Sequence, residues 1–461
     1  MKQGLRTSGL VLIVAVMAVA EVPSAIAIKD AHVVTVSGAD LPKATVLLRD
    51  GLIQDVGPNL AIPADAWVID GTGLTVYPGF IDGLSTWGIP GAAATPARTA
   101  AGVAPTPAPK PAATPSASEE PPRHGPEDRP QNHSFERAAD MVTPSDQRLA
   151  AARAAGFTTA ATFPNQGIFE GLGAMIDLAG ARGRDMVVAQ PIGQQILFRV
   201  SGFGRSGFPN SLMGNIAYVR QLFLDLNQYK EAQQMYEAHP AGNRRLEYDH
   251  DLEGLAESPR LLLPADEEQQ IDRILSLGRE LKHPFVLYGL HEAYKRVDEL
   301  KQAKVPALIS LKWPEKPKDA DPSDIPNYRD LSMRQQAPAV PGMLAKAGVS
   351  FAFYSDGLDT APDLKKAVKK AVDAGLSRAD AIRALTLSAA QIYGVSDRLG
   401  SIEKGKIANL VVMKGDAFED KTTVEYLFVD GTEFEPSKDL QKPPANKERE
   451  QKPAAAEGDT N

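Results

Sequence analysis

Short apolar runs alternating with amphipathic helical stretches through the middle of the chain, and β-rich blocks at both ends, predict an α/β protein. The expected architecture is a (β/α)₈ TIM-type barrel with a small composite β-sandwich domain contributed by both chain ends. A length of 461 residues fits a closed barrel with one added domain better than an open sheet.

The elements follow in order. Lys2 and Arg6, the apolar run Leu10 to Ala20 and the small-residue triplet "AIA" at 25–27 read as a secretory signal peptide over residues 1–27. The apolar run is too short for a membrane span, which takes about 20 residues. Residues 28–74 alternate in strand fashion, with Asp50-Gly51 as a hairpin turn in "ATVLLRDGLIQDVG". Residues 399–435 repeat the pattern in "ANLVVMKG" and "TTVEYLFVDGTEF", with Asp430-Gly431 as the turn. These two blocks form the predicted sandwich domain.

Residues 75–398 hold the barrel strands: "TVYPGFID", "GFTTAATFP", "RLLLPAD", "HPFVLYG", "KVPALISLKWP" and "GVSFAFYSD", with "GAMIDLAG" and "MVVAQPIGQQILF" supplying the rest. "DEEQQIDRILSLGREL" and "HEAYKRVDELKQA" carry apolar residues at helical spacing, and Asn210 to His239 reads as an inserted long helix or helix pair. Residues 91–132, rich in Pro and Ala, lack apolar periodicity and are expected to be disordered, as is the tail 436–461. The insert leaves directly after the first barrel strand, on the face where such barrels keep their chemistry.

Composition sets limits. The chain is 43% hydrophobic and 23% charged, the proportions of a globular protein. A net charge of −8 with no basic patch argues against nucleic acid. The absence of cysteine excludes disulfides, thiolate metal sites, a cysteine nucleophile and a lipid-anchored leader. A mature protein that is periplasmic or extracellular, with no membrane attachment after cleavage, is expected. No nucleophile elbow or phosphate loop is present; "GFGRSGFPNS" is glycine-rich but lacks the strand-then-helix setting.

"VIDGTGLTVYPGFID", "GVSFAFYSDG" and "ADAIRALTLSAAQIYGVSDRLGSIEKGKIANLVVMKGD" resemble the first barrel strand, eighth barrel strand and closing helix of the amidohydrolase superfamily, in its imidazolonepropionase-like branch. The resemblance covers most of the mature chain; Asn409 stands at a position usually acidic. It implies a hydrolase acting on carbon–nitrogen bonds other than peptide bonds, in amides or cyclic amides, that activates water on one or two divalent metals. The ligands it implies are a His-x-His pair ending strand one, histidines ending strands five and six, and an aspartate ending strand eight. Here those positions are Leu84 and Thr86, Pro264, Tyr288 or Gly289, and Asp356. Only Asp356 matches. At most one divalent metal, zinc by the family's habit and with Asp356 as its retained ligand, is expected; a site without metal is the preferred reading.

What remains near the barrel mouth supplies the candidates. Asp356 is a proton-transfer carboxylate or a loop cap, and His291 is a general base or replacement ligand, or else the exposed start of a helix. Asp82 and Thr86 share a strand face by i, i+2 and i+4 spacing and could line a rebuilt site, or Asp82 is a buried structural acid. Asp266 and Lys312 end strands five and seven and could bind an acidic or zwitterionic ligand or form an ion pair. Arg205 could touch substrate. The other histidines, His124, His133, His239, His250 and His283, form no cluster. Two functions follow: a hydrolase with a degenerate metal site, worked by Asp356 and His291, or a non-catalytic ligand-binding or partner subunit of a metal-bearing relative. The expected partners are a small-molecule substrate or ligand, and a paralogous subunit or a second copy of the chain.

Overall fold

Both chain ends feed one eight-stranded sheet in this computed structural model, which describes residues 25–92, 129–198, 208–209, 211–316, 325–358, 360–419 and 421–434. Most of the leader, most of the Pro/Ala-rich insert, His124, Arg205 and the C-terminal tail lie outside the described residues.

The N-terminal strands are β1 (Ala25–Val33), β2 (Leu41–Arg49), β3 (Leu52–Gly57), β4 (Ala66–Asp70) and β5 (Thr75–Pro78). β1 pairs antiparallel with β2 and β2 with β3, while β4 and β5 run parallel to β1. The turn joining β2 and β3 puts Asp50 at φ 52° and Gly51 at φ 76°, the doubly positive geometry a tight hairpin needs. β1 begins before the predicted domain boundary. Ala25 faces Arg49 and Ala27 faces Leu47, and both alanines are buried. A cut after Ala27 would remove three residues of a paired strand. The small side chains that suit a signal protease also suit this close strand contact.

The middle of the chain gives β6 (Phe80–Ser85), β7 (Phe157–Thr162), β8 (Phe169–Leu172), β9 (Ala174–Asp177), β10 (Val187–Ala189), β11 (Gln194–Ile196), β12 (Leu261–Ala265), β13 (Phe285–Gly289), β14 (Ala307–Ser310) and β15 (Phe351–Tyr354). They fall into two sheets, β10-β9-β7-β6 and β15-β14-β13-β12-β11-β8. β11 through β15 pair parallel. Residues of β13 to β15 are almost all buried, as strands covered on both faces must be. The expectation of an all-parallel layer fails between residues 169 and 196. β9 pairs antiparallel with β7 and β10, and β8 pairs antiparallel with β11. Only residues 178–186 separate β9 from β10, fewer than the dozen or so that a parallel crossover takes, and Gly173 alone joins β8 to β9. A Cβ at Gly173 would fall 2.2 Å from the Phe163 ring, so the tight passage depends on glycine.

β15 lies beside β6 without a strand ladder. The Ser355 N–H donates to Asp82 Oδ1 at 2.9 Å, and a Cβ on Gly83 would sit 2.7 Å from the Phe353 carbonyl oxygen. The helix Glu268–Leu281 follows β12 and buries Ile271, Ile274, Leu275, Leu277 and Leu281; Glu267 and Gln270 close a capping box at its start. The stretch from His291 to Ala303, expected as one helix, is a 3₁₀ turn Ala293–Lys295 followed by a helix Val297–Ala303. The inserted helix is a single element of 27 residues, Leu212–Ala238, whose buried side chains all lie between Asn215 and Leu226.

The chain closes with β16 (Leu410–Lys414), β17 (Thr423–Val429) and β18 (Thr432–Phe434), and β16 pairs antiparallel with β5. The two hairpin turns meet: a Cβ on Gly431 would lie 2.8 Å from the Gly51 Cα, and Ala408 donates its N–H to the Gly51 carbonyl while its own carbonyl accepts from Gly431. Ile28, Val46, Ile53, Val76, Leu410, Val412 and Phe428 fill the core of this sheet.

Candidate functional site

The C-terminal ends of β12 and β13 bring together two residues that the sequence placed separately. β12 delivers Asp266 one residue past its end. After β13 the backbone turns through Gly289 at φ 105° and Leu290 at φ 69°, two successive positive values that fold the chain back on itself. His291 therefore lands on Asp266. Its backbone N–H donates to Asp266 Oδ1 at 3.0 Å, and its ring Nδ1 lies 2.8 Å from the same oxygen. A side chain at Gly289 is disfavoured, because that φ is strained for any L residue and a Cβ there would sit 3.1 Å from the Asp266 Cβ. A leucine held at positive φ is backbone strain, of a kind that surrounding structure must enforce.

Both partners are buried, and His291 is not the exposed start of a helix. Burial by itself pushes the Asp266 carboxyl up, but the His291 charge and hydrogen bonds outweigh it and hold the group below the ordinary carboxylate range. Burial pulls the His291 imidazole down, and the Asp266 carboxylate more than restores it, so its pKa stands above the ordinary value. The pair is an ion pair in a dry setting. His291 Nε2 is buried with no hydrogen-bond partner. One ring nitrogen is thus fixed by a carboxylate while the other carries no hydrogen bond, a state from which an imidazole can act as general acid or base once water or substrate reaches it.

Asp356 and its neighbours border this pair. Asp356 sits at φ 48°, and the buried Ser310 hydroxyl at the end of β14 donates to its Oδ2 at 2.8 Å. Its charge acts on His291, on Asp82 and on Tyr354, so the four belong to one electrostatic neighbourhood. Tyr354 stacks edge-on against Tyr288 with ring centroids 6.3 Å apart, and its hydroxyl is buried without a partner. Burial raises the Tyr354 phenol well above its usual range, so it stays protonated. Tyr288 donates to the Ile196 carbonyl at 2.9 Å. Trp313 packs near the imidazole, centroids 6.1 Å apart, and is itself anchored by its indole N–H on the Ala367 carbonyl.

Asp82 is fully buried in β6. Its Oδ1 accepts from the Ser355 and Leu84 N–H groups, and its Oδ2 has no partner. Burial pushes its pKa up to about 7. Thr86 does not join it. The Thr86 hydroxyl takes a bond of 2.8 Å from Arg148 and bonds the Ala92 carbonyl. The register of β6 against β7 shifts between Asp82 and Ser85, and such an irregularity breaks the alternation that would set residues two apart on one face.

The expected meeting of Asp266 and Lys312 does not occur. Asp266 is taken by His291, and Lys312 is exposed, two residues beyond the end of β14, donating its backbone N–H to Ser310 Oγ. His133, part-buried, bonds Glu136 at 2.9 Å. The sequence reading passed over Ser310, Tyr288 as a hydroxyl donor, Tyr354 and Trp313. Their signal was weak: single polar or aromatic residues inside apolar strands, the pattern an ordinary core also produces.

At the positions where metal ligands were expected, Leu84 packs in an apolar cluster, the Thr86 hydroxyl is occupied, Pro264 lies within β12 and Gly289 offers no side chain. Among the described residues no group of three or more His, Cys, Asp or Glu side chains is placed to hold a metal ion.

Residues 271–434 match the model of the amidohydrolase family. That span includes His291, Ser310 and Asp356 and stops short of Asp266. No curated protein matches the chain. The fold is similar to that of an amidohydrolase from Thermotoga maritima MSB8, at TM-score 0.68 and 24% identity over 89% of this chain and 100% of that one. It is also similar to a Xaa-Pro dipeptidase crystallised with methionine in its active site, at TM-score 0.51 and 15% identity over 89% of this chain and 100% of that one. At such identities the likeness establishes the α/β fold.

Proposed function

We propose that this amidohydrolase-type chain is a hydrolase of carbon–nitrogen bonds other than peptide bonds, in amides or cyclic amides, that works through the Asp266–His291 pair without the divalent metal of its relatives. The observation that carries the reading is the buried Asp266–His291 contact with His291 Nε2 unpartnered. Asp266 holds the Nδ1 proton and so orients the ring; neutral Nε2 accepts a proton from water as that water attacks the carbonyl, and the resulting imidazolium returns it to the leaving nitrogen. Asp356 stabilises the cationic ring. The protonated Tyr354 hydroxyl is a donor available to an oxyanion.

The donor set argues against a metal: one carboxylate at Asp356, with leucine, proline and glycine at the other positions, offers no imidazole or thiolate set of the kind zinc takes. We read the two central sheets as one closed barrel, supported by β15 lying along β6. Export to the periplasm or exterior is proposed from the leader, with cleavage after the "AVA" triplet Ala18–Ala20, which would leave β1 intact.

The test is turnover of a panel of N-acyl amines and cyclic imides by the purified mature chain. His291→Ala should lower kcat by at least about 100-fold, and chelator treatment should leave the rate unchanged. Stoichiometric zinc retained after growth in zinc-supplemented medium, with activity lost on chelation, would sink the metal-free reading. The same donor set favours a second reading, a ligand-binding or partner subunit of a metal-bearing relative. Isolation from the native host as a mixed oligomer, with no turnover of any amide, would select it.

A further inference from the structure

Beyond Leu226 the long helix Leu212–Ala238 buries none of its side chains, yet it lines a cavity of about 300 Å³ together with residues 245–253. None of the residues described above at the ends of β12 to β15 lines it. Three tyrosines, Tyr229, Tyr236 and Tyr248, supply aromatic surface, and Glu237 and Glu253 set two carboxylates against one guanidinium, Arg245. Glu253 is positioned rather than loose: Tyr229 Oη and Gln233 Nε2 both donate to its Oε1, at 2.9 and 3.1 Å. Tyr248, by contrast, is 76% exposed, a large aromatic kept on the surface where burial cannot explain it.

We propose that this cavity binds a small molecule bearing an ammonium cation. Aromatic faces attract a cation through the ring quadrupole, and a partly desolvated carboxylate at the wall supplies the counter-charge. Anionic ligands are disfavoured by the excess of carboxylates, and a purely apolar ligand would leave the Glu253 charge desolvated and unpaired. The volume suits a compact organic cation rather than a peptide. This site does not depend on the proposed hydrolytic centre, and either can fail alone.

The test uses the full chain and two probes of the same shape, choline and its uncharged carbon analogue 3,3-dimethylbutan-1-ol, titrated by ligand-observed and protein-observed NMR. Choline should saturate with a dissociation constant on the order of millimolar, and the neutral analogue should bind at least about tenfold more weakly. Tyr248→Ala should weaken choline about two- to fivefold, the contribution of one exposed ring. Glu253→Gln, which keeps an oxygen for Tyr229 and Gln233, should weaken it about tenfold or more while circular dichroism stays unchanged. Equal binding of the two probes, or no saturable shift with choline up to about 100 mM, would overturn the proposal.

Discussion

Two regions of the strand layer bury an aspartate, and they shift its ionisation in opposite directions. At the β12–β13 end Asp266 lies against His291 and stays ionised below the usual carboxylate range. Along the β6–β15 seam Asp82 meets only neutral donors, the Ser355 side chain and the Ser355 and Leu84 N–H groups, and burial pushes it up to about 7. Asp177 repeats the second case where β9 meets the end-sheet: its donors are Asn409 Nδ2 at 2.6 Å and Thr159 Oγ1 at 3.1 Å, both neutral, and burial again raises it to about 7. At Asp82 and Asp177 hydrogen bonds from neutral donors do not offset the cost of burial, whereas at Asp266 the cation buried beside it does.

The largest effect should come from breaking the charged case. His291→Ala strands the Asp266 charge and should cost roughly 3–5 kcal/mol of stability at neutral pH, read from urea unfolding. The companion Asp266→Asn/His291→Ala variant should recover much of that loss, because neither charge then remains. An H291A protein as stable as wild type would mean that the two residues are not an ion pair.

The neutral case predicts the opposite pH response. Between the unfolded and folded pKa values of Asp82 the native state holds more protons than the unfolded state, so stability falls as pH rises from about 4 to about 7. Asp82→Asn mimics the protonated acid. It should match wild type below about pH 4 and exceed it near pH 8, by on the order of 4 kcal/mol. A constant difference across that window would show that Asp82 is ionised throughout. For the pair the signs differ. Asp266, with a lowered pKa, contributes stability that is lost as pH falls through that value, and His291, with a raised pKa, contributes stability that is lost as pH rises through its folded value. The rate of the proposed hydrolysis should rise with pH through the same His291 ionisation, above the ordinary histidine value, because only the neutral ring accepts a proton.

Smaller effects test the turn that makes the contact. Gly289→Ala places a Cβ against Asp266 at an unfavourable φ and should cost about 1–3 kcal/mol, with kcat reduced alongside. Arg329→Ala should do less. Arg329 is half-exposed, yet it bonds both Glu267 and Glu292, which immediately follow Asp266 and His291. Burial alone would raise the Glu292 carboxyl, but Arg329, the Glu268 N–H and Lys295 bring it down to about 2. Loss of the arginine should cost about 1 kcal/mol or less and be measurable mainly as a lowered melting temperature at low salt.

Much of this was written in the chain. The Asp50-Gly51 and Asp430-Gly431 turns, the apolar strands β12 to β15, the capped helix after β12 and the long inserted helix are local features, set by period, turn chemistry and composition. Asp82, Asp266, His291 and Asp356 could be picked out because each falls in or just after an apolar strand. What local pattern could not supply was which of them meet. Lys312 and Asp266 end different strands and look equally able to pair, and Asp82 and Thr86 look like neighbours on one face until the shift in β6 parts them.

The amino-acid order by itself determined the strand and helix inventory, because hydrophobic periodicity and turn residues act over a few neighbours. The tertiary structure decided the chemistry of the site. The turn through Gly289 and Leu290 sets an imidazole 2.8 Å from a carboxylate 25 residues away, and only their shared burial makes one a held cation and the other a held anion.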